Sequence, residues 1–525
     1  MKRRNLIQAS AAAFAAPSLA QAQNSRVIRF KPNADATILD PLFSTAFSTR
    51  YLALLSYDML YGMDEALNPH PQMAAGHVVE NDNKLWRITL RDGLRFHDGE
   101  AVRASDCVAS LRRWGRVDVM GQMLMAATDE LTAADDKTIV FRLKQPFPLL
   151  IHALAKSTSF IPAMMPERLF AADPTRQVTE VVGSGPYRYM ANERVNGARS
   201  VWQKFDGYVP RPDGTPQFTS GPKLAYVERV EWNIIPDHST AASAIISGEV
   251  DWYEDVLLDL LPVLRRDRNV VIGSINPPGN MGILRLNHLQ PPFDNPAIRR
   301  ALLGAIDQAE ILSAVAGTDR SLWDAGVGVF SPNSPMASNA GMSALTSPRD
   351  FAKVRQELQA AGYRGEKIGF LSAINFSTMA RQVDVAADQF KRAGMNVEVI
   401  PVDFGVWLQR RANRGPVDQG GWSCTTTLLP GLDLWDPSAH LGLRGNGLAA
   451  WPGWPTSPEL EALRSQWMDA ADQPARQVIA RAIQERAFVD VPYIPTGRWK
   501  DLTAHRRNIT GMLSGMPLFY NIRKN

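Results

Sequence analysis

The alternation of apolar and polar positions predicts short strands and helices through the first half of the chain. Residues 27–30, 85–91 and 138–143 alternate with the two-residue period of a strand that is buried on one face. Residues 52–60 carry apolar side chains at helical spacing, and Ser105-Asp106 offers a cap for a further helix. The first half is therefore expected to mix strands with helices.

The second half alternates helix and strand more regularly. Apolar residues line one helical face over 351–361 and again over 383–390, and a glycine that can end a helix follows each face. Apolar runs at 367–371 and 397–400 predict strands on either side of the second helix. A strand, a helix and a strand of this length imply a parallel pair with a right-handed crossover, and hence an α/β fold.

Composition and charge narrow the class of protein. A chain of 525 residues with 45% hydrophobic and 21% charged residues is typical of a globular protein of roughly two to four domains. Lys2, Arg3 and Arg4 are three of the 57 basic residues, and residues 1–22 contain no acid. The remaining 54 basic residues nearly balance the 53 acidic ones, so we expect no nucleic-acid partner.

The first 22 residues have the pattern of a signal peptide. A basic start is followed by a mostly apolar stretch over 6–19 and by the small-x-small site Ala20-Gln21-Ala22. The apolar stretch is shorter than the roughly 20 residues that span a bilayer. Arg3-Arg4 also fits a twin-arginine signal, so both the Sec and the twin-arginine route stay open. Export to the periplasm is expected.

Sequence motifs of catalysis were sought and are missing. The stretch Gly420-Gly-Trp-Ser-Cys424 lacks the Gly-x-Ser-x-Gly pattern, because Thr425 stands where the last glycine would be, and neither His-Glu-x-x-His nor a phosphate-binding glycine loop occurs. Cys107 and Cys424 could form one bridge, but two separate buried thiols are favoured. We therefore expect no enzymatic activity, cofactor or metal, and a secreted hydrolase with unrecognised catalytic residues stays as the alternative.

Tryptophans in the loops of the second half suggest a binding site. Trp422 stands among glycines and hydroxyl residues, which favours a polar, stacking pocket for a ligand. For any single tryptophan, packing in the core is the competing interpretation. On the first interpretation, Trp422→Ala should weaken ligand binding much more than Trp114→Ala, which should chiefly cost stability.

Several segments, in order along the chain, resemble one protein family. The strongest is Leu85-Trp-Arg-Ile-Thr-Leu-Arg-Asp-Gly-Leu-Arg-Phe-His-Asp-Gly, and Gly183-Ser-Gly-Pro-Tyr and Pro292-Phe-Asp-Asn-Pro support it. Together they resemble the family 5 extracellular solute-binding proteins of ABC importers, which include dipeptide-, oligopeptide-, nickel- and glutathione-binding proteins. The match covers most of the chain after the signal segment.

The resemblance implies an architecture. It is an α/β, two-lobed periplasmic binding protein fold with an extra subdomain in the first lobe. The expected divisions are residues 23–62, 184–277 and 492–525 for lobe I, 63–183 for the inserted subdomain and 278–491 for lobe II.

The resemblance also implies a function. The protein would capture a peptide or peptide-like small solute between its lobes and deliver it to an inner-membrane ABC permease with its ATPase. No cofactor is implied, and a monomer is expected. A nickel ligand would need histidine contacts, for which His440 is the loop candidate.

One departure from the family pattern bears on the solute. In many peptide-binding members an aspartate three residues after a tryptophan pairs with the peptide's amine, whereas Thr425 stands at that position after Trp422. A hydroxyl cannot replace that charge, so Asp433 or Asp436 could serve instead. Modified amines, opine-like or glutathione-like molecules and sugars also stay open. The candidate ligand-binding residues are Trp422, Ser423, Thr425, Thr426, Trp435, Asp436, Asn280 and Phe47.

Overall fold

The computed structural model describes residues 26–525, so the signal segment predicted at 1–22 lies outside the described residues. Within them the chain forms two compact units. Unit 1 contains residues 26–277 and 501–525, and unit 2 contains residues 278–500. Each unit is built on its own mixed or antiparallel sheets, with helices packed against them.

The strands, in chain order, are β1 (Val27–Lys31), β2 (Tyr61–Met63), β3 (Pro69–Pro71), β4 (Ala74–Glu80), β5 (Leu85–Leu90), β6 (Thr128–Ala133), β7 (Thr138–Leu143), β8 (Tyr187–Tyr189), β9 (Arg199–Lys204), β10 (Arg229–Asn233), β11 (Trp252–Tyr253), β12 (Val270–Gly273), β13 (Asn280–Leu286), β14 (Trp323–Asp324), β15 (Lys367–Ala373), β16 (Asn396–Val402), β17 (Cys424–Pro430), β18 (Tyr493–Trp499), β19 (Thr503–Arg506), β20 (Ile509–Thr510) and β21 (Arg523–Lys524).

The α-helices, in chain order, are α1 (Phe47–Ser56), α2 (Ala104–Val117), α3 (Val119–Ala127), α4 (Leu150–Leu154), α5 (His238–Ser247), α6 (Leu261–Leu264), α7 (Pro296–Leu303), α8 (Gln308–Ala316), α9 (Ser343–Thr346), α10 (Phe351–Ala360), α11 (Ser377–Arg392), α12 (Phe404–Arg410), α13 (Pro458–Asp469) and α14 (Gln473–Asp490).

The main sheet of unit 1 has the strand order β12-β19-β11-β1-β10-β9-β8, and β1 runs parallel to both of its neighbours. Its core is aromatic. The Phe30 ring lies 5.8 Å from that of Trp232, 4.9 Å from that of Trp252 and 5.1 Å from that of Phe519. Rings at these distances and tilts pack with favourable edge-to-face contacts. The final residues of the chain therefore complete the core that β1 begins.

A second, antiparallel sheet of unit 1 has the order β4-β5-β7-β6 and packs against α2. It is formed within the segment that the sequence assigns to an inserted subdomain. A buried ion pair ties this segment to the chain after β1, because Arg113 of α2 donates to Asp40. The backbone N–H of Val178 also donates to Asp40, at 2.7 Å. The division of unit 1 into lobe and subdomain stays a prediction.

The sheet of unit 2 has the order β14-β18-β13-β17-β15-β16. β15 and β16 are parallel and α11 connects them, which agrees with the strand, helix and strand expected from the sequence. The buried face of α11 packs on the sheet, and the Phe390 ring lies 6.0 Å from that of Phe370 on β15. The glycine at 394 follows the helix with a φ of +89°, as an end signal requires.

Two expected boundaries differ from the structure. The first helix is α1, at 47–56, whereas residues 57–60 are buried but lie outside the helix. The second boundary between units was expected at 491/492, but β18 continues to Trp499 and pairs with β13, so unit 2 ends at Lys500. Pro495 and Gly497 interrupt the strand pattern within β18, and the pairing with β13 has a register shift there. The other division between the units lies between Pro277 and Pro278.

Arg285 on β13 is a buried charge in the middle of unit 2. Its Nε donates to the carbonyl oxygen of Pro452 at 2.7 Å. Its terminal nitrogens donate to the carbonyl oxygens of Gly442, Trp451 and Pro492 at 2.8, 2.9 and 3.1 Å. Burial lowers the pKa of Arg285 to about 9, so the side chain is still charged at neutral pH. One guanidinium therefore holds two loops and the end of α14 to the central strand.

We expect Arg285→Leu to lower the free energy of unfolding by about 3 kcal/mol, because buried carbonyl oxygens lose their donor. The measurement is urea denaturation of the mature protein. Arg481→Leu is the matched control, since that side chain is 66% exposed and pairs with its helical neighbour Glu485 on the surface. An equal loss of stability in both variants would contradict the role given to Arg285.

Candidate functional site

The predicted ligand-binding residues of unit 2 fall at opposite ends of one strand pair. β13 and β17 are antiparallel, with Asn280 opposite Pro430 and Leu286 opposite Cys424. Six residues of extended strand span roughly 20 Å. Trp422 and Ser423, which lead into β17, therefore lie far from Asn280 and from the turn after Pro430. The structure does not bring the candidate residues of unit 2 into one site.

Trp422 is completely buried in unit 2. Its indole Nε1 donates to the carbonyl oxygen of Arg411 at 3.0 Å, and its ring centroid lies 5.9 Å from that of Trp454. Both rings belong to a core cluster with Trp407, Leu371 and other buried apolar residues. These contacts favour the core-packing interpretation of Trp422, and contact with a solute stays a prediction.

The hydroxyl groups around Trp422 are also engaged within unit 2. Ser423 Oγ accepts from the N–H of Gly369 at 3.0 Å. Thr425 Oγ1 donates to the carbonyl oxygen of Leu371 at 2.9 Å and accepts from Trp407 Nε1 at 2.8 Å. These bonds join β17 to β15 and to α12.

Thr426 follows the same pattern as its neighbours. Its Oγ1 donates to the carbonyl oxygen of Met379 on α11 at 2.9 Å, and its side chain is buried. The small hydroxyl residues that suggested a pocket are therefore partners of backbone groups. A ligand role for Ser423, Thr425 or Thr426 stays a prediction that these contacts do not favour.

Asn280, Trp435 and Asp436 lie at the other end of β13 and β17. Residues 431–434 form a 3₁₀ turn directly after β17, and Trp435 and Asp436 follow it, each partly exposed. Asp436 accepts hydrogen bonds from the N–H and the hydroxyl of Ser438, which fixes the carboxylate in a local turn. Asn280, which is buried, begins β13 at this same end.

Phe47 lies in unit 1, at the first position of α1. Its ring is partly exposed, 6.3 Å from the ring of Tyr51 one helical turn further on. The Arg50 guanidinium carbon lies 5.9 Å from the Phe47 ring. Phe47 therefore belongs to the same helix as Tyr51, which lines the cavity described below.

A cavity of about 50 Å³ in unit 1 was missed by the sequence analysis. Its polar lining comprises Tyr51, Glu254, Asn276, Asp501 and Thr503, which come from four separate parts of the chain. Met516 and Pro517 contribute apolar surface. The sequence signal that could have indicated this cavity was Glu254, an acidic residue directly after β11. The residues that line the cavity with it are distant in sequence, so the signal was not recognised.

Glu254 is a carboxyl group of this cavity with a strongly perturbed pKa. Its Oε2 accepts from the N–H of Asn33 at 2.6 Å, and it also accepts from the Tyr51 hydroxyl. Burial raises the pKa of Glu254 to about 7, and these hydrogen bonds only partly offset that shift. The carboxyl group is therefore ready to change its charge near neutral pH.

The structure offers no grouped metal ligands in the part of the chain that it describes. Across residues 26–525, no three histidine, cysteine, aspartate or glutamate side chains are placed to hold a metal ion. His440 is buried, and its Nε2 lies 2.9 Å from the carbonyl oxygen of Val329. Burial lowers the pKa of His440 to about 3. Cys107 and Cys424 are both buried free thiols, which confirms the favoured interpretation.

The fold resembles that of solved periplasmic binding proteins. It matches the AgaA protein of A. tumefaciens R10, solved with agropinic acid, with a TM-score of 0.78 and 20% identity over 95% of this chain and 99% of that one. It matches DppA of Helicobacter pylori, solved with the peptide STSA, with a TM-score of 0.79 and 19% identity over 96% of this chain and 99% of that one. The fold class is thus the expected α/β, two-lobed periplasmic binding protein fold.

Sequence comparison defines the family. Residues 68–435 match the model of the bacterial extracellular solute-binding proteins, family 5 Middle. Over its whole length the chain is 35% identical to 99% of a Sinorhizobium fredii protein named "Probable peptide ABC transporter periplasmic-binding protein y4tO". Over 97% of its length it is 24% identical to 96% of the glutathione-binding protein GsiB of Pectobacterium atrosepticum. The chain belongs to family 5 of the bacterial extracellular solute-binding proteins.

Family membership settles the general role. The protein is the periplasmic, substrate-binding component of an ABC import system, and such components are not enzymes. The hydrolase alternative is therefore not retained. Among the helices of residues 26–525, none has the length and apolar character needed to cross a bilayer.

Trp422→Ala should cost about 3–5 kcal/mol of unfolding free energy, because it empties a buried ring site. Trp435→Ala, at a partly exposed position, should cost about 1 kcal/mol. Urea denaturation measures both. Similar small losses would contradict the packing described for Trp422. Calorimetry with tetra-alanine then tests the original assignment, since unchanged affinity in a folded Trp422→Ala protein removes this residue from the site.

We expect Glu254→Gln to stabilise the solute-free protein by about 1–3 kcal/mol at pH 8. The folded carboxyl group keeps its proton up to about pH 7, whereas an unfolded one releases it near the ordinary glutamate pKa of 4.5. Stability is therefore lost as the pH rises between these values, and the glutamine variant avoids that loss.

The measurement for Glu254→Gln is thermal denaturation at pH 4.5 and at pH 8, with the exposed Glu249→Gln as control. The gain should be present at pH 8 and absent at pH 4.5. A gain that is the same at both pH values would contradict the raised pKa.

Proposed function

We propose that this protein binds a peptide or peptide-like small solute and delivers it to an inner-membrane ABC permease with its ATPase. The observation that carries the proposal is the 35% identity, over the whole chain, to a protein named as a peptide ABC transporter periplasmic-binding protein. The similarity to glutathione-binding proteins over nearly the whole chain supports the same solute class.

Transport by such a protein depends on a difference in affinity between conformations. A solute that binds one conformation more tightly shifts the population toward it, and the permease can then recognise the loaded form. No covalent step is needed. The protein acts as a monomer after removal of the predicted signal peptide at 1–22.

The threonine at 425 does not argue against solutes with a free amine. Thr425 Oγ1 makes hydrogen bonds to Leu371 and Trp407 within the core of unit 2, so this side chain has a structural role. An acidic residue elsewhere in the protein can therefore pair with the amine of the solute. Free-amine peptides therefore belong to the proposed solute class, together with glutathione-like and opine-like molecules.

The first experiment is mass spectrometry of the small molecules released when freshly purified mature protein is denatured. It is followed by calorimetric titration of the emptied protein with tetra-alanine and with glutathione. We expect a released peptide or peptide-like compound, and one-to-one binding with no product formed. A sugar as the released compound, with no binding of either probe, would contradict the peptide-like class.

A further inference from the structure

The acidic cavity of unit 1 lies where parallel strands end. β1 runs parallel to β10 and β11, and Glu254 directly follows the last residue of β11. In open α/β sheets, ligands bind beyond the carboxyl ends of neighbouring parallel strands. The position of this cavity is therefore one that the sheet itself favours for binding.

The cavity also lies beside both points at which the chain passes between its two units. Asn276 is two residues before unit 2 begins, and Asp501 is the first residue after it ends. Asn276 Nδ2 lies 3.5 Å from Asp501 Oδ2. A ligand held here contacts the segments that any relative motion of the two units has to use.

Acidic side chains, and no basic ones, line the cavity. Glu254 and Asp501 line it, and none of its nine lining residues is lysine or arginine. The hydroxyl groups of Tyr51 and Thr503 add neutral polar atoms. The lining thus suits a group that is cationic and can donate several hydrogen bonds.

The basic residue nearest to Glu254 is largely engaged elsewhere. Lys31 at the end of β1 lies with its Nζ 4.9 Å from the centre of the Tyr253 ring. Its pKa responds more strongly to Asp255 than to Glu254, so Asp255 is its main counter-charge. Asp255 and Lys31 both affect the pKa of Glu254, and the effect of Lys31 is the weaker of the two. The positive charge of Lys31 therefore compensates Asp255 more than it compensates Glu254.

We propose that this cavity binds a protonated amine of the solute, with the Glu254 carboxylate as its main partner and Asp501 as its second. The inference rests on the proposed function, since it names the group of the solute that the cavity recognises. A volume of about 50 Å³ leaves room for one ammonium group, since about 10–15 Å³ by the same measure is enough for one water molecule.

Glu254 takes the role of amine partner that the sequence analysis gave to Asp433 or Asp436 in unit 2. Asp436 accepts two hydrogen bonds from Ser438, so its carboxylate is already used in a turn. Glu254 accepts hydrogen bonds from Asn33 and Tyr51, and these only partly offset the cost of burying its carboxylate. A bound ammonium ion would stabilise the carboxylate further.

The test compares tetra-alanine with N-acetyl-tetra-alanine by calorimetry on the emptied mature protein at pH 7.5. Wild-type protein should bind the free amine at least tenfold more tightly than the acetylated peptide. Glu254→Gln should remove this preference by weakening tetra-alanine binding about tenfold. Asp501→Asn should reduce the preference in part, and the exposed Glu249→Gln should leave it unchanged.

The pH dependence gives a second readout. The free carboxyl group of Glu254 takes up its proton below about pH 7 and must release it to pair with an ammonium ion. Tetra-alanine should therefore bind about tenfold more weakly at pH 5.5 than at pH 7.5 in the wild-type protein. The two affinities should be nearly equal in Glu254→Gln.

The outcomes separate this inference from the proposed function. Equal binding of both peptides by the wild-type protein, or an unchanged preference in Glu254→Gln, overturns the amine site while peptide binding stands. Loss of the preference in Asp436→Asn with retention in Glu254→Gln moves the amine to unit 2, and so also overturns it. If the wild-type protein binds neither peptide, both proposals fail.

Discussion

The guanidinium of Arg285 is the constraint on which the organisation of unit 2 depends. A charged group in the interior must keep every donor engaged, and here the acceptors are carbonyl oxygens of loops that precede α13 and follow α14. The loop that it holds at Trp451 and Pro452 continues to Trp454, which packs against Trp422. The central strand, its charge and the buried tryptophans therefore form one connected arrangement.

Sequence periodicity predicted the regular parts of the fold and failed where tertiary contacts decide. The strand, helix and strand over 367–402 followed from local pattern, because both strands and α11 bury one clear apolar set. The end of β18 did not, since Pro495 and Gly497 break the pattern of a strand that a register shift nonetheless accommodates. Met59 and Leu60 continue the apolar helical spacing, yet the helix ends at Ser56 and residues 57–60 are buried outside it.

The candidate site was harder to predict for two physical reasons. Hydroxyl residues beside Trp422 suggested a polar pocket, yet backbone carbonyl oxygens of neighbouring elements satisfy them, and sequence cannot show that pairing. Glu254 becomes notable only through partners more than 200 residues away, at Asn33, Tyr51 and Asp501. Family resemblance gave the general role correctly, since it rests on segments that specify the fold.

The place of Phe519 in the core of unit 1 has a consequence for the order of folding. Unit 2 is a continuous stretch of chain, and all of its strands are available once residue 500 has been synthesised. Unit 1 lacks an aromatic partner of Phe30 and Trp252 until residue 519 follows. Unit 2 can therefore complete its core from one continuous stretch of chain, whereas unit 1 has to bring together segments from both sides of unit 2.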